Sequence, residues 1–324
     1  MNFFTFFSYS YIPKATILIR SIKKFHPNSK IFVVLLDDES RVILNEFPEL
    51  VCFDWKTIVF EDSQLSAAIK FRDFSSQIFS SVPVMTQEVL KLIGEDELLI
   101  YLDADTALFS ELSQLKSGMQ DYSLGLFAHD FNFILRRYLL RFGKFNAGAF
   151  IVRADEFGRA FLKSWRGSCI NWCLDEVGSN GEYSNQKYLE NYGNSLKTIN
   201  LQPMGGDIAP WNSSWRDFSF SKSLICYRNN PLLFFHFHGI EKIGSRWFLG
   251  HLNYGMLLRK KCKEFIYQNY LTQLEIENSH YGVSAEKSHR YKKTFASKLL
   301  GGMLIMLKFI LRQTFVSQKL AHRE

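Results

Sequence analysis

Short, uninterrupted apolar runs alternate along this chain with longer segments whose apolar residues recur at helical spacing. The runs in "NFFTFFS", "KIFVVLLDD" and "ELLIYLDAD" end at polar residues, which is typical of strands buried on both faces. Between the first two runs, Pro13 marks the start of a helix, and apolar residues from Ala15 to Ile22 form one helical face. This order of strand, helix and strand predicts a parallel βαβ unit.

Acidic residues follow two of these predicted strands. Asp37 comes after the second strand, and Asp103 and Asp105 come after the third, the run from Leu98 to Leu102. A helix over "PVMTQEVLKLIG" precedes the third strand, so three strand ends should meet at one edge of a sheet. Ligands bind at that edge in open α/β sheets. The pattern therefore predicts the α/β fold class, with a mostly parallel central sheet flanked by helices.

Further elements follow along the chain. Strands are predicted in "YSLGLFAHD", "FNAGAFIVRAD" and "PLLFFHFHG", and the segment "FNFILRRYLLRFG" predicts a basic helix. From Trp247 onward the pattern is helical and basic. We therefore expect an α/β domain over residues 1–245 and a helical C-terminal extension over residues 246–324.

Several side chains at the predicted strand ends are candidates for metal and phosphate chemistry. Asp103 and Asp105 can bind one Mg²⁺ or Mn²⁺ ion, although solvated turn acids have the same pattern. His236 and His238 are two apart, so both rings face one side of an extended strand, and an imidazole ligand would favour Mn²⁺. A histidine at a strand end is more often structural. Here Gly239 and Lys242 follow, a combination that suits a phosphate group.

Composition sets limits on partner and compartment. The 324 residues are 47% hydrophobic, enough for a large core, and 39 Lys and Arg against 32 Asp and Glu give a net charge of +7. This excess favours an anionic partner: nucleic acid, a nucleotide or an anionic membrane surface. Five cysteines are too few for a disulfide framework and indicate a reducing compartment. The N-terminal residues lack the features of a signal peptide, and no apolar run reaches the roughly 18 to 20 residues of a membrane span.

The order of four motifs resembles a known family. "DAD", "NAG", "NQ" and "HxxGxxK" follow one another as in the retaining GT-A glycosyltransferases of family 8. Related bacterial nucleotide-diphospho-sugar transferases look even more similar, through "YIPKATILIRSIKKFHP", "YLDADTALFS", "NQKYLE", "APWN" and "FFHFHG". The likeness covers about residues 3 to 245. It implies the Rossmann-like GT-A fold.

The resemblance also implies roles for individual residues. Asp103, Asp105 and His236 match the metal ligands, Lys242 matches the lysine that holds the donor diphosphate, and Gln186 matches the glutamine beside the reacting sugar. The expected catalytic residues are thus Gln186, Asn185 and Lys242. The expected donor site comprises Ser8, Tyr9, Tyr11, Asp37, Asp103, Asn146, Ala147, Gly148, Gly239 and Lys242. Within it, Ser8 to Tyr11 match the nucleotide-base pocket, and Asn146 to Gly148 match the segment that lines the donor sugar. The Asn146 amide can hydrogen-bond sugar hydroxyls.

Two positions depart from the family pattern. Asn185 stands where family members usually have aspartate, which removes a carboxylate from the sugar site and bears on donor choice or activity. Ile243 and Gly244 follow Lys242 where the family often continues with Pro-Trp, so the closing loop can be built differently.

The function implied is transfer of a sugar from a nucleotide-diphospho-sugar, a UDP-sugar, with Mn²⁺ or Mg²⁺ and with retention at the anomeric carbon. The acceptor would be a saccharide or a lipid-linked glycan in cell-surface polysaccharide synthesis, and nucleic acid is not expected as a partner. Two alternatives remain open. A nucleotidyltransferase would need a glycine-rich phosphate loop, which "SYSYIPK" is not. A glycosyltransferase-like protein that binds sugar-nucleotide without turnover is suggested only by Asn185.

The C-terminal tail carries a separate prediction. Between Phe295 and Val316 the apolar residues recur at helical spacing, and Lys308 is among the cations that accompany them. The cations before and beside this face are Lys287, His289, Arg290, Lys292, Lys293, Lys298, Lys308, Arg312 and Lys319. Such a helix either packs on its own domain or lies in an anionic membrane interface. The second possibility would place the protein in the cytoplasm, peripherally at the inner face of the cytoplasmic membrane.

Overall fold

A seven-stranded sheet forms the centre of the computed structural model, which describes residues 1–131, 135–221, 224–284, 295–311 and 313–316. The strands of the chain are β1 (Asn2–Phe7), β2 (Ile31–Leu35), β3 (Val51–Asp54), β4 (Leu98–Leu102), β5 (Thr106–Leu108), β6 (Leu124–Ala128), β7 (Phe145–Arg153), β8 (Thr198–Asn200), β9 (Phe218–Phe220), β10 (Ile225–Tyr227), β11 (Asn230–Pro231), β12 (Phe234–His236), β13 (Glu241–Ile243), β14 (Arg246–Phe248) and β15 (Thr314–Val316). The central sheet has the order β3-β2-β1-β4-β7-β6-β8. Within it, β7 runs antiparallel to both neighbours, and the other pairings are parallel.

Helices cover both faces of this sheet. The α-helices of the described chain are α1 (Ile12–Phe25), α2 (Trp55–Glu61), α3 (Ser63–Ile69), α4 (Phe74–Leu90), α5 (Ser113–Gly118), α6 (Arg137–Phe142), α7 (Glu156–Asn171), α8 (Lys260–Lys263), α9 (Asn269–His280) and α10 (Phe295–Ile310), of which α8 to α10 lie away from the central sheet. Alternate residues of β1 show the two faces: Phe4 packs in the core that contains α4 and α7, and Phe3 packs in the core that contains α1. Burial on both sides explains the continuous apolar runs and confirms the predicted α/β class.

Smaller sheets follow the central one. β5 pairs antiparallel with β12, while β9 to β11 and β13 to β15 form two three-stranded sheets. A third apolar core joins these strands to α9. The domain boundary that the sequence predicts after residue 245 falls inside the β13–β14 hairpin, and the division into two domains stays a prediction.

Helix boundaries differ from the sequence pattern in two places. α4 begins at Phe74, upstream of the predicted start at Pro83, because the Asp73 carboxylate accepts the Ser76 N–H at 3.1 Å and caps the helix there. In the predicted basic helix "FNFILRRYLLRFG", the described α-helical part is α6, and residues 132–134 lie outside the described residues.

The C-terminal helix also ends earlier than predicted. α10 stops at Ile310, and β15 then pairs with the outer edge of β14, which gives that edge its hydrogen-bond partners. Lys308 is buried and not on an exposed basic face, whereas Met306 and Ile310 are exposed. The predicted cations Lys287, His289, Arg290, Lys292, Lys293, Arg312 and Lys319 lie outside the described residues. Among the described residues, no helix has both the length and the apolar character needed to cross a membrane.

Candidate functional site

The end of β4 and the end of β12 meet at the carboxyl edge of the central sheet. Asp103 and Asp105 lie in the turn that leads from β4 into β5. Because β5 pairs antiparallel with β12, His236 lies opposite Thr106, and the Phe237 N–H donates to the Asp105 carbonyl at 2.8 Å. This short two-stranded sheet therefore brings an imidazole to two carboxylates that are distant in sequence.

Both carboxylates lie near the His236 imidazole. The His236 Nε2 atom lies 3.0 Å from Asp105 Oδ1 and 3.7 Å from Asp103 Oδ2. His236 and Asp105 are buried, at 3% and 8% exposure. The exposed His238 is also near, since ligand atoms of Asp105, His236 and His238 all lie within 4.8 Å of one another. Two carboxylates with one or two imidazoles form a donor set that fits Mn²⁺.

Burial and mutual charge shift the pKa values of this group. Burial raises the pKa of Asp103 to about 6, against the attraction of His236. Burial acts in the same direction on Asp105, but His236 and Lys14 outweigh it and hold the pKa of Asp105 well below its usual range. Burial disfavours a charged His236, yet Asp105 and Asp207 raise the pKa of its imidazole. The surroundings of His236 thus favour a positive charge between the carboxylates.

A buried carboxylate supports His236 from behind. Asp207 Oδ1 lies 3.5 Å from His236 Nδ1, and Asp207 is fully buried. Neither of these two atoms has a hydrogen bond of good geometry, so two buried polar atoms face each other without partners. A carboxylate behind a histidine is the arrangement that orients metal-ligating imidazoles. Asp207 is not among the residues that the sequence motifs indicate, although an acid flanked by Gly206 and Ile208 in an apolar stretch needs a partner once it is buried.

Asn146 and Gly148, at the start of β7, complete the back of the site. The Asn146 Nδ2 atom donates to Asp207 Oδ2 at 2.9 Å, and its Oδ1 accepts the Gly148 N–H at 3.2 Å. The amide predicted for sugar hydroxyls is therefore engaged within the protein. A Cβ atom on Gly148 would lie 2.7 Å from Asp103 Oδ2. Ala147, the residue between them, is buried and lines the same strand start.

Two further side chains bind the carboxylates. The Tyr101 hydroxyl donates to Asp103, and burial raises the pKa of that phenol well above its usual value. Lys14, in the first turn of α1, places Nζ 3.7 Å from Asp105 Oδ2 and 4.3 Å from the centre of the Tyr11 ring. Neither Tyr101 nor Lys14 is among the site residues that the sequence motifs indicate. Lys14 connects the predicted nucleotide pocket at Tyr11 with the carboxylates.

Ser8, Tyr9 and Asp37, which are also predicted for the donor site, lie in the loops after β1 and β2, and hydrogen bonds join these two loops. The Asp37 carboxylate accepts the N–H groups of Tyr9, at 2.9 and 3.1 Å, and Ser40, at 3.1 Å. Ser8 and Ser10 share a hydrogen bond of 3.0 Å. Asp37 therefore fastens the end of β1 to the end of β2.

Asn185 and Gln186 lie in a segment that packs against α7 and β7. Asn185 is buried at 4% exposure, its carbonyl accepts the Trp165 N–H at 2.8 Å, and its side-chain oxygen accepts from Ser184 at 3.3 Å. Gln186 begins the 3₁₀ turn Gln186–Tyr192, which packs on β7 and α7. Within the described part of the chain, no hydrogen bond or ion pair joins either residue to Asp103 or Asp105.

Lys242 points to a carboxylate of the C-terminal half. Its Nζ lies 2.7 Å from Glu275 Oε2 on α9, and the Trp247 indole N–H donates to the same carboxylate. Gly239 has a φ of +74°, the left-handed conformation that glycine adopts most easily, and it turns the chain from β12 toward β13.

Trp211 closes one side of the site. Its ring centre lies 5.2 Å from that of His236, 5.6 Å from that of His238 and 5.9 Å from that of His129. His129 in turn clamps the base of the segment between β6 and β7: its N–H donates to the Lys144 carbonyl at 2.9 Å, and its Nδ1 lies 3.0 Å from the Gly143 carbonyl. Burial lowers the pKa of His129 to about 4, so the ring is neutral at pH 7.

Comparisons with known proteins give two curated relatives. Protein YfnF of Bacillus subtilis (strain 168) is 24% identical over 237 residues, 70% of this chain and 77% of that protein. Protein YfnD of the same strain is 24% identical over 257 residues, 76% of this chain and 80% of that protein. Both carry the description "uncharacterized protein". No protein-family model matches the chain.

Among solved structures, the galactosyltransferase LgtC with donor and acceptor sugar analogues matches 90% of this chain and 98% of its own, with 15% identity and a TM-score of 0.48. Mouse xyloside xylosyltransferase 1 matches 74% of this chain and 97% of its own, with 12% identity and a TM-score of 0.44. Both names are those of glycosyltransferases, the class that the motifs of this chain resemble.

Proposed function

We propose that this protein is a metal-dependent glycosyltransferase that uses a nucleotide-diphospho-sugar, a UDP-sugar, as donor. One observation carries the proposal: the convergence of Asp103, Asp105 and the His236 Nε2 atom at the carboxyl edge of a mostly parallel sheet. Ligands bind at this edge in α/β folds, and hard cations there share their coordination with phosphate oxygens.

The proposed ion is Mn²⁺ or Mg²⁺, which, when bound, supplies a Lewis acid for the departing diphosphate. Residues of the chain hold the proposed metal ligands in position. Asp207 is proposed to orient His236 by its charge, 3.5 Å from Nδ1, and the Tyr101 hydroxyl holds Asp103. Gln186 and Asn185 are proposed to contact the donor sugar, and transfer is proposed to occur with retention at the anomeric carbon.

The test is turnover with a panel of nucleotide-sugars in the presence of Mn²⁺, measured as released nucleoside diphosphate and free sugar. We expect one donor to be hydrolysed slowly, and EDTA to stop this reaction. Asp105→Ala and His236→Ala should each lower the rate by about 100-fold or more, because each removes a ligand of the ion.

Asp38→Ala is the matched control, since Asp38 is an exposed acid beside another strand end and pairs with Lys56. Full activity of Asp105→Ala, or activity unaffected by EDTA, would rule out the metal assignment. Donor binding with no released nucleotide would show a sugar-nucleotide-binding protein without turnover.

The acceptor is proposed to be a saccharide or lipid-linked glycan of cell-surface polysaccharide synthesis, reached from the cytoplasmic side of an anionic membrane. The support is the exposed apolar surface of α10, where Met303, Met306, Phe309 and Ile310 are each more than half exposed. Surfaces of this kind bury their apolar side chains among lipid headgroups.

Flotation with liposomes that contain anionic lipid tests this membrane contact. Deleting residues 285–324 would also remove β15, so point variants are cleaner. Met306→Glu with Ile310→Glu should abolish flotation, and Leu196→Glu, at a site 94% exposed in another region, should leave it unchanged. Wild-type protein that does not float at low salt would contradict the membrane proposal.

A further inference from the structure

Lys14 is a lysine whose ammonium group reaches Asp105 in the candidate metal site. It lies in the first turn of α1, directly after the turn that contains Tyr11. Its Nζ atom is 3.7 Å from Asp105 Oδ2 and 4.3 Å from the centre of the Tyr11 ring, and its side chain is 23% exposed. Lys14 is therefore partly accessible and stands between the metal site and the predicted nucleotide pocket.

Lys242, the lysine that the family resemblance assigns to the diphosphate, is held differently. Its ammonium pairs with Glu275 at 2.7 Å, and the indole of Trp247 donates to the same carboxylate. That carboxylate lies on α9, outside the group formed by Asp103, Asp105 and His236. The charge of Lys242 is thus matched by a dedicated partner.

Lys14 pairs with Asp105, a carboxylate that a bound cation would also contact. Asp105 is a proposed metal ligand, and a divalent ion on its carboxylate cancels most of the attraction that Asp105 exerts on Lys14. The ammonium group then needs another anion. A phosphate oxygen that shares the ion with Asp105 supplies this anion next to the position that Lys14 already occupies.

We propose that Lys14 binds the diphosphate of the donor, exchanging its contact with Asp105 for a contact with phosphate oxygen. This inference rests on the proposed function. Lysine suits the role because its compact ammonium group acts as a point charge on a flexible stem. If Lys14 served only to neutralise Asp105, its removal would leave diphosphate binding intact.

Binding of three probes to the full chain in the presence of Mn²⁺ tests the proposal, measured by titration calorimetry or, for weak binding, by ligand-observed NMR. The probes are UDP, inorganic pyrophosphate and uridine, which separate the diphosphate from the nucleoside. In Lys14→Met, which keeps the stem and removes the charge, we expect UDP and pyrophosphate to bind about 10- to 100-fold more weakly. Uridine should bind as in the wild type, and Lys14→Arg should recover most of the affinity for UDP.

Lys24→Met is the matched control, because Lys24 is an exposed lysine on the same helix. It should leave all three affinities unchanged, and thermal melts of each variant should show that the fold is intact. Mn²⁺ binding alone, followed by electron paramagnetic resonance, should be at least as tight in Lys14→Met as in the wild type, because a like charge has been removed.

Two results would overturn the role of Lys14 while leaving the proposed function in place. One is unchanged pyrophosphate affinity in Lys14→Met. The other is a parallel loss of Mn²⁺ and pyrophosphate affinity, which would show that Lys14 only positions Asp105. Wild-type protein that binds neither UDP nor pyrophosphate with Mn²⁺ would contradict the proposed function, and the inference with it.

Discussion

Replacing Gly148 with alanine introduces one carbon atom into a space that Asp103, His236 and Asn146 already fill. A Cβ atom at this position would lie 2.7 Å from Asp103 Oδ2, 2.8 Å from His236 Cε1 and 3.0 Å from Asn146 Nδ2. Ordinary contacts begin at 3.4 Å. Asp103 must therefore withdraw by about 0.7 Å, and His236 by a similar amount, for the methyl group to fit.

The size of this displacement determines the expected effect. Binding sites tolerate shifts of only about 0.5 Å in their ligands. Outer-shell changes around metal ligands typically cost about 10- to 100-fold in metal affinity, and we expect a loss of this size for Mn²⁺. Overpacking should also lower the free energy of unfolding by about 1 to 3 kcal/mol.

Mn²⁺ titration followed by electron paramagnetic resonance measures the affinity, and urea denaturation measures stability. Gly167→Ala is the control, since Gly167 lies within α7 and a Cβ there has no neighbour within 4 Å. That variant should gain up to about 1 kcal/mol from helix propensity and keep its Mn²⁺ affinity. If Gly148→Ala bound Mn²⁺ as tightly as the wild type, the convergence of Asp103 and His236 would not describe the metal site.

Three other variants test separate parts of the structure. Asp207→Asn removes the charge behind His236 and should weaken Mn²⁺ binding about 10-fold or more in the same titration; unchanged binding would show that Asp207 does not position the imidazole. Asn185→Asp should change the ratio of rates among nucleotide-sugars, because a carboxylate only accepts hydrogen bonds whereas an amide also donates them, and an identical donor profile would place Asn185 outside the sugar site. Burial, reinforced by the charge of Lys308, lowers the pKa of His251 to about 3. Between about pH 6.5 and pH 3, His251 therefore binds a proton in the unfolded chain but not in the folded one. The contribution of His251 to the free energy of unfolding should be fully present above this range and decrease as the pH falls through it, by at most about 5 kcal/mol. His251→Phe should flatten the pH dependence of urea unfolding, and an equally steep slope in that variant would assign the acid sensitivity to other groups.

The apolar pattern predicted the strands well because both faces of the central sheet are buried. The run from Leu98 to Leu102 is β4 from end to end, and "FNAGAFIVRAD" contains β7. Strand direction was harder to predict, because the sequence of β7 does not distinguish a parallel strand from the antiparallel strand that the structure shows. Direction is set by the connections and the sheet order, which are properties of the whole chain.

In the candidate site too, some residues could be predicted from the sequence and others could not. Asp103, Asp105 and His236 could be named from short motifs, and the pairing of β5 with β12 brings them together. Lys14 and Asp207 could not, because their importance depends on which carboxylate or imidazole lies opposite after folding. Lys14 faces Asp105 only because β1 and β4 are neighbours, which places the first turn of α1 beside the end of β4.

The clamp at His129 makes the connection between β6 and β7 an exchangeable module. Since β7 runs antiparallel to β4 and β6, the chain leaves β6 at Ala128 and enters β7 at Phe145 at the same edge as the candidate site. Both ends of the segment are fastened by the bonds of His129 to Gly143 and Lys144. Protein engineers could therefore graft segments of other lengths between these two anchors and diversify the rim of the site without redesigning the sheet beneath it.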